Sequence, residues 1–208
     1  RWLRTTTQLH AAWAAASLGV RYRRSMQNKA AGVRSFAQTV RTMAGEPAWN
    51  RTVEALSPAT RAVVLTPPLP MQWVDGSFFL DLLATSHRHA FNGDTRRLID
   101  VGRTQLKNDM NTLYKMMIRM VNLDRLLKKA ADIYGTYTDN GRMTGRRISE
   151  TESLIMLEGV QHGSEALWQY QAGCVAGTVE QAGFKHPQVL LTSSSPTGCV
   201  IRVMVDAA

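Results

Sequence analysis

Residues 140–205 read NGRMTGRRISETESLIMLEGVQHGSEALWQYQAGCVAGTVEQAGFKHPQVLLTSSSPTGCVIRVMV, and this stretch decides the fold. It reads strand, strand, helix, strand, strand. The pattern predicts strands over 141–148 and 152–159 joined as one hairpin, a helix over 163–183, and a second hairpin from strands over 188–192 and 199–205. Asp139, Asn140 and Gly141 form a turn cluster, because Asn and Gly enter positive φ at little cost. In the last strand Cys199, Ile201, Val203 and Val205 fall on one face, while Val200, Arg202 and Met204 fall on the other. On the helix Trp168, Ala172, Val175, Val179 and Ala182 recur at spacings of three and four, which makes one face suited to covering a sheet. Gly183 and Pro187 end that helix. Gly173 and Gly177 lie four apart on a neighbouring face. Each costs a helix about 1 kcal/mol relative to alanine, so they mark a close backbone approach, to a sheet or to a partner such as a second copy.

Everything before Asn140 reads as helix. Helices are expected over 33–43, over 46–56 with Pro47 in the first turn, over 75–91, and from an N-cap at Asp94 through Leu98, Val101 and Leu106. Further helices are expected over 109–121 and from Asn122 through Leu126 to Ile133. Thr66, Pro67, Pro68, Leu69 and Pro70 form an extended connector. The fold class is therefore α+β: a helical N-terminal half packed on a four-stranded antiparallel sheet, with a ββαββ C-terminal part.

The net charge of +9 is unevenly spread. Residues 1–34 hold seven Arg or Lys and no acid; the rest holds 18 basic and 16 acidic residues, a balance of +2. The globular part is therefore not a nucleic-acid binder by composition. Residues 1–31 read as a basic extension, disordered, loosely helical or artefactual, with Met26 as an alternative start. Contact of this segment with an anionic membrane is a weaker reading. Residues 32–205 form one domain. No window reaches the ~20 apolar residues of a membrane span. Cys174 and Cys199 make no disulfide framework, and a reducing, cytoplasmic setting is expected.

The sequence holds no phosphate-cradling glycine loop, Gly-x-Ser-x-Gly elbow, His-Glu-x-x-His or Cys-x-x-Cys. His10, His87, His89, His162 and His186 lack metal-ligand spacing. No nucleophile stands with a base, so the chain is read as non-catalytic.

The element order resembles the superfamily that joins haem nitric-oxide sensors, vinyl-reductase-type ligand-binding domains and vesicle-tethering TRAPP components. Within it, the chain is similar to an uncharacterised paralogous family of myxobacterial domains. The residues that carry this are Met71, Gln72 and Trp73 before the 75–91 helix, Gly93 and Asp94 with Gly102 and Arg103, and Gly173 through Gly183 before the last hairpin. The resemblance implies a sensing or adaptor domain, usually a dimer. The haem sensors' Tyr-x-Ser-x-Arg motif is absent, and only Cys199 stands where related domains place zinc-binding cysteines. No cofactor is therefore expected, neither haem nor zinc.

The leading reading is a sensor for a hydrophobic small molecule. The alternative is a protein-interaction module without ligand, binding a partner protein or itself. Three apolar faces converge on the sheet: the Phe78 to Leu82 arc, the methionine-rich Met110 to Met117 face, and the Trp168 to Val179 stripe. Flexible thioethers adapt to ligands. The expected pocket is lined by Phe79, Leu83, Leu113, Met117 and Trp168, with His87 as a polar handle at its edge.

Overall fold

The computed structural model describes residues 26–109 and 123–206. The chain begins with strand β1 (Gln27–Lys29), then helices α1 (Ala30–Ala44), α2 (Glu46–Ala55) and α3 (Pro58–Leu65). Strand β2 (Trp73–Asp75) precedes α4 (Ser77–His89), α5 (Arg96–Asp109) and α6 (Leu123–Tyr137). The last part is β3 (Arg142–Arg147), β4 (Glu152–Glu158), α7 (Glu165–Gln181), β5 (Gln188–Ser195) and β6 (Gly198–Met204). This is the α+β architecture read from the sequence, helices first and ββαββ last.

The four-stranded sheet has the order β3-β4-β6-β5, antiparallel throughout. Ile155 stands opposite Ile201, and Leu157 opposite Cys199. These four and Val203 are buried on one face, as the period of two requires. Their alternates Leu154, Met156, Val200 and Met204 are only half-buried. Helix α7 covers the buried face. Ser164 caps it by accepting from the Leu167 backbone N–H. Trp168, Ala172, Val175 and Val179 are each at most 3% exposed, and burying a large apolar side chain is worth roughly 1.5–3 kcal/mol.

The N-terminal helices form the second layer. Val33, Phe36, Ala37 and Val40 make the buried stripe of α1. Phe79, Leu82 and Leu83 do the same on α4, and Leu98 and Val101 on α5. The expected helix start at Asp75 moves to Ser77. Asp75 ends a strand instead, and its carboxylate accepts from the Ser77 backbone N–H at 2.8 Å. A feature absent from the sequence reading is the two-stranded β1–β2 ribbon, with Lys29 opposite Trp73 and an added bridge from Asn28 to Thr138. Residues 26–31 thus belong to the domain and not to the basic extension: Met26 and Ala30 are buried. Residues 1–25 lie outside the described part, as do Met110, Leu113, Met117 and Met120.

The Gly173–Gly177 face is occupied within the chain. A Cβ on Gly173 would collide with the Ile99 carbonyl, and one on Gly177 would meet the Arg103 carbonyl at 2.8 Å. Gly102 faces back from α5, where a Cβ would meet the Cys174 nitrogen at 2.8 Å. Helices α5 and α7 therefore touch backbone to backbone. The small-residue face that could have received a second copy is occupied by this intramolecular seam.

Candidate functional site

Beside this seam lies a partly open cavity of about 120 Å³. Helix α7 supplies Leu167, Trp168, Tyr170, Cys174, Val175 and Thr178. Gln105, Leu106 and Asp109 come from the end of α5, and Ile133, Tyr134 and Tyr137 from the end of α6. Phe79 and Leu80 enter from α4, Gly32 from α1, and Met26, Asn28 and Lys29 from the ribbon end. Gly32 lacks a Cβ where the Tyr137 ring lies close; an added Cβ would meet that ring at 3.2 Å.

The walls are rigid where they are aromatic. Phe36, Phe79 and Tyr170 form a mutual cluster with ring centroids 5.3–5.4 Å apart, within the range of favourable edge-to-face pairs. The Trp168 indole N–H donates to the Ser195 carbonyl at 3.2 Å, which ties the cavity wall to the β5–β6 turn. The Tyr134 hydroxyl donates to the Asn140 carbonyl at 2.5 Å. Buried Asn140 in turn clips Gln161, accepting from its N–H at 2.6 Å and donating to its carbonyl at 3.1 Å.

A polar chain crosses the floor. The Tyr170 hydroxyl donates to Gln105 Oε1 at 2.9 Å. Gln105 Nε2 reaches the Gly32 carbonyl at 3.2 Å and Asp109 Oδ2 at 3.4 Å, and the Ser35 hydroxyl donates to Asp109 Oδ1. Burial raises the Asp109 carboxyl above its ordinary range, against the pull of those two hydrogen bonds. Burial also raises the Tyr134 and Tyr170 phenols and pushes the Cys174 thiol up to about 12. Burial thus disfavours the charged form of each of these groups.

Of the six residues expected at the site, Phe79 and Trp168 line this cavity together. Leu83 is buried in the core, 1% exposed, and is not in the lining. His87 is half-buried on α4, with Nε2 lacking a hydrogen-bond partner, and is not in the lining either. Leu113 and Met117 fall outside the described residues. Sequence reasoning missed Gln105, Asp109, Tyr170 and Cys174. The signal for the first two was their spacing: Leu98, Val101, Gln105 and Asp109 continue one helical stripe.

No family model matches the chain, and no curated protein matches it in sequence. Solved structures do match. A point variant of the Tt H-NOX domain aligns with a TM-score of 0.63 at 10% identity, covering 86% of this chain and 95% of the other. The fold is that of H-NOX domains. A structure from work on modulating haem redox potential through protein-induced porphyrin distortion aligns at 0.61 and 12% identity, over 85% and 99% of the two chains. The oxygen complex of an oxygen-binding H-NOX domain related to soluble guanylate cyclases aligns at 0.58 and 11%, over 83% and 92%.

These neighbours correct the expectation that haem is excluded as a cofactor. That expectation rests on a missing peptide motif, whereas the whole fold is shared with a structure from work on haem redox potential and with an oxygen complex of an H-NOX domain. The lining itself bears on whether a haem fits. It holds thiol, thioether and phenol donors, from Cys174, Met26, Met143, Tyr134 and Tyr137, all of them side-chain types that ligate haem iron. No histidine is among the described lining residues. The donor chemistry fits a haem. The space between the described walls fits a single ring, since an apolar cavity of about 150 Å³ holds a benzene, and a porphyrin requires the walls to part. Among the described residues, no group of three or more His, Cys, Asp or Glu is placed to hold a metal ion, and no helix is long and apolar enough to cross a membrane.

Proposed function

We propose that this chain is a non-catalytic ligand-sensing domain, and that its ligand seat is the cavity between α5, α6 and α7. One observation carries the reading: a partly open, mainly apolar void, walled by Phe79, Trp168 and Tyr170, with a few convergent polar groups on its floor. Binding sites for small molecules have this character. The H-NOX fold supports the sensing class, and haem and oxygen, named for the neighbours, enter here as ligands to test. The finer family reading, the myxobacterial paralogous domains, stays with this proposal. The unbonded Cys174 and Cys199 support a reducing, cytoplasmic setting.

The geometry also suggests how occupancy is reported. Helix α6 closes the cavity with Ile133, Tyr134 and Tyr137 and packs chiefly on edge strand β3. A ligand that binds better with α6 in one position shifts the population towards that position by its differential affinity. Titration with indole followed by calorimetry, and with hemin followed by its Soret absorption, tests the seat. Saturable binding of either, abolished by Ile133→Phe in a folded protein, is expected. Uptake of neither, or uptake unchanged by that substitution, overturns the reading.

A second reading has its own observation. Leu65, Leu69, Met71 and Trp73 are 63%, 71%, 74% and 42% exposed along one proline-rich connector, and such a run of exposed apolar side chains favours an adaptor that binds a partner there. Co-purification of a stoichiometric ligand with the native protein in mass spectrometry decides for the sensor.

A further inference from the structure

We infer that the ligand of this cavity carries a basic nitrogen that is received by the carboxylate of Asp109. The inference rests on the cavity being a ligand seat, and not on haem. Asp109 closes the α5 end of the cavity. An ionised carboxylate offers about four lone-pair sites, and this one uses two, for the Ser35 hydroxyl and, at 3.4 Å, the Gln105 amide. The second bond is long, and Gln105 shares that same amide nitrogen with the Gly32 carbonyl. No described lysine or arginine pairs with Asp109.

The nearby cations are engaged elsewhere. Lys29 at the ribbon end of the cavity lies 4.1 Å from the Trp73 ring centroid and donates to the Met71 carbonyl. Arg103 and Lys107, on the same helix as Asp109, both pair with Glu180. Among the described residues Asp109 is therefore a part-buried acid without a counter-ion, at the edge of a mainly apolar cavity. A buried charge is costly unless it is paired. A protonated amine on the ligand supplies the missing charge and fills the unused lone pairs. The void takes about one ring, so the ligand class is a compact aromatic or alicyclic amine. The Tyr170 hydroxyl does not compete for the nitrogen, because it already donates to Gln105.

The test is a calorimetric titration of the full chain with benzylamine, benzyl alcohol and benzoate, which share a ring and differ in charge. Benzylamine is expected to bind about tenfold or more tighter than benzyl alcohol, as a charge-assisted hydrogen bond exceeds a neutral one, and benzoate is expected not to bind. Asp109→Asn is expected to bring the amine and alcohol affinities together while keeping alcohol binding. Asp109→Glu is expected to keep part of the amine preference. If the alcohol binds wild-type protein as tightly as the amine, or benzoate binds best, this inference falls and the cavity remains a ligand seat. If none of the three binds and indole and hemin also fail, the seat itself is lost. The wild-type ligand series decides even if neither variant folds.

Discussion

Helices α5 and α7 present two unlike faces, one to each other and one to a cavity. On one, Gly102, Gly173 and Gly177 bring backbone against backbone, and Glu180 clasps Arg103 at 3.5 Å and Lys107 at 2.5 Å. On the other, large side chains from the same two helices stand apart around a void. The closed face removes side chains to gain contact. The open face keeps them and leaves space. A protein interior is close-packed by default, so a void directly beside so tight a seam is a local property of the open face and not general looseness. The seam is built from α5 and α7, whereas α6 contributes Ile133, Tyr134 and Tyr137 to the walls of the void.

The largest expected effect is on the open face. Trp168 is 2% exposed and tethers the β5–β6 turn through its indole N–H. Trp168→Ala is expected to cost about 3–5 kcal/mol in denaturant unfolding, the usual range for large aromatics in a core. A cost near zero would show that the wall is not part of the packed structure, and the contrast between the faces would collapse.

On the closed face, Gly173→Ala is expected to destabilise by about 2 kcal/mol. The intrinsic gain in helix propensity, about 1 kcal/mol, opposes this, but the obstacle is the Ile99 backbone carbonyl, which cannot rotate away. Gly135 on α6 is the internal control. A Cβ there meets nothing within 4 Å, so Gly135→Ala is expected to stabilise by roughly 0.5–1 kcal/mol. Opposite signs in thermal unfolding would sharpen the comparison; equal signs would break it.

The two faces were not equally legible in the sequence. The sheet and α7 were, because alternation and three-four spacing are strong where one face is buried: Cys199, Ile201, Val203 and Val205 are buried together on one face, where the pattern placed them. The glycines announced a close approach but not its partner, since α5 of the same chain and a helix of a second copy demand the same small residues. The β1–β2 ribbon was illegible. Three-residue strands carry too little alternation, and Lys29 merged with the basic segment before it. Phe79 and Trp168 could be placed on a cavity wall from sequence because these wall residues are also core residues. Gln105 and Asp109 were missed because a polar residue on a helix ordinarily means solvent, and only their register with Leu98 and Val101 says otherwise.

Asp109 gives a pH-dependent test of the open face. Burial raises its folded-state pKa, with Ser35, Gln105, Tyr170, Cys174 and Tyr137 around it. For a group whose folded pKa is raised, the stabilising contribution is present below the unfolded pKa and is lost as pH rises through the folded pKa. Burial raises the Tyr170 phenol and the Cys174 thiol, so both stay protonated across that window. Asp109→Asn removes the titration and keeps an acceptor for Ser35. The variant's melting temperature relative to wild type is therefore expected to be higher at pH 7 than at pH 4. A difference that is flat or reversed between those pH values would show that the carboxylate is solvated, and that the floor is not the desolvated site described above.

The smallest expected effect probes the clasp. Glu180 bridges two cations, but both are over a third exposed, and such ion pairs are worth about 0–1 kcal/mol and are screened by salt. Glu180→Gln is therefore expected to lower stability by less than about 1 kcal/mol, and the loss should vanish in high salt. The glycines hold α5 against α7 by shape, so the helix pair keeps its spacing without the charge. Indole affinity at the cavity is then expected to be unchanged. A measured loss of indole affinity in this variant, with stability intact, would mean that the closed face transmits to the open one. In that case the seam, and not α6 alone, would be the element whose position a ligand biases.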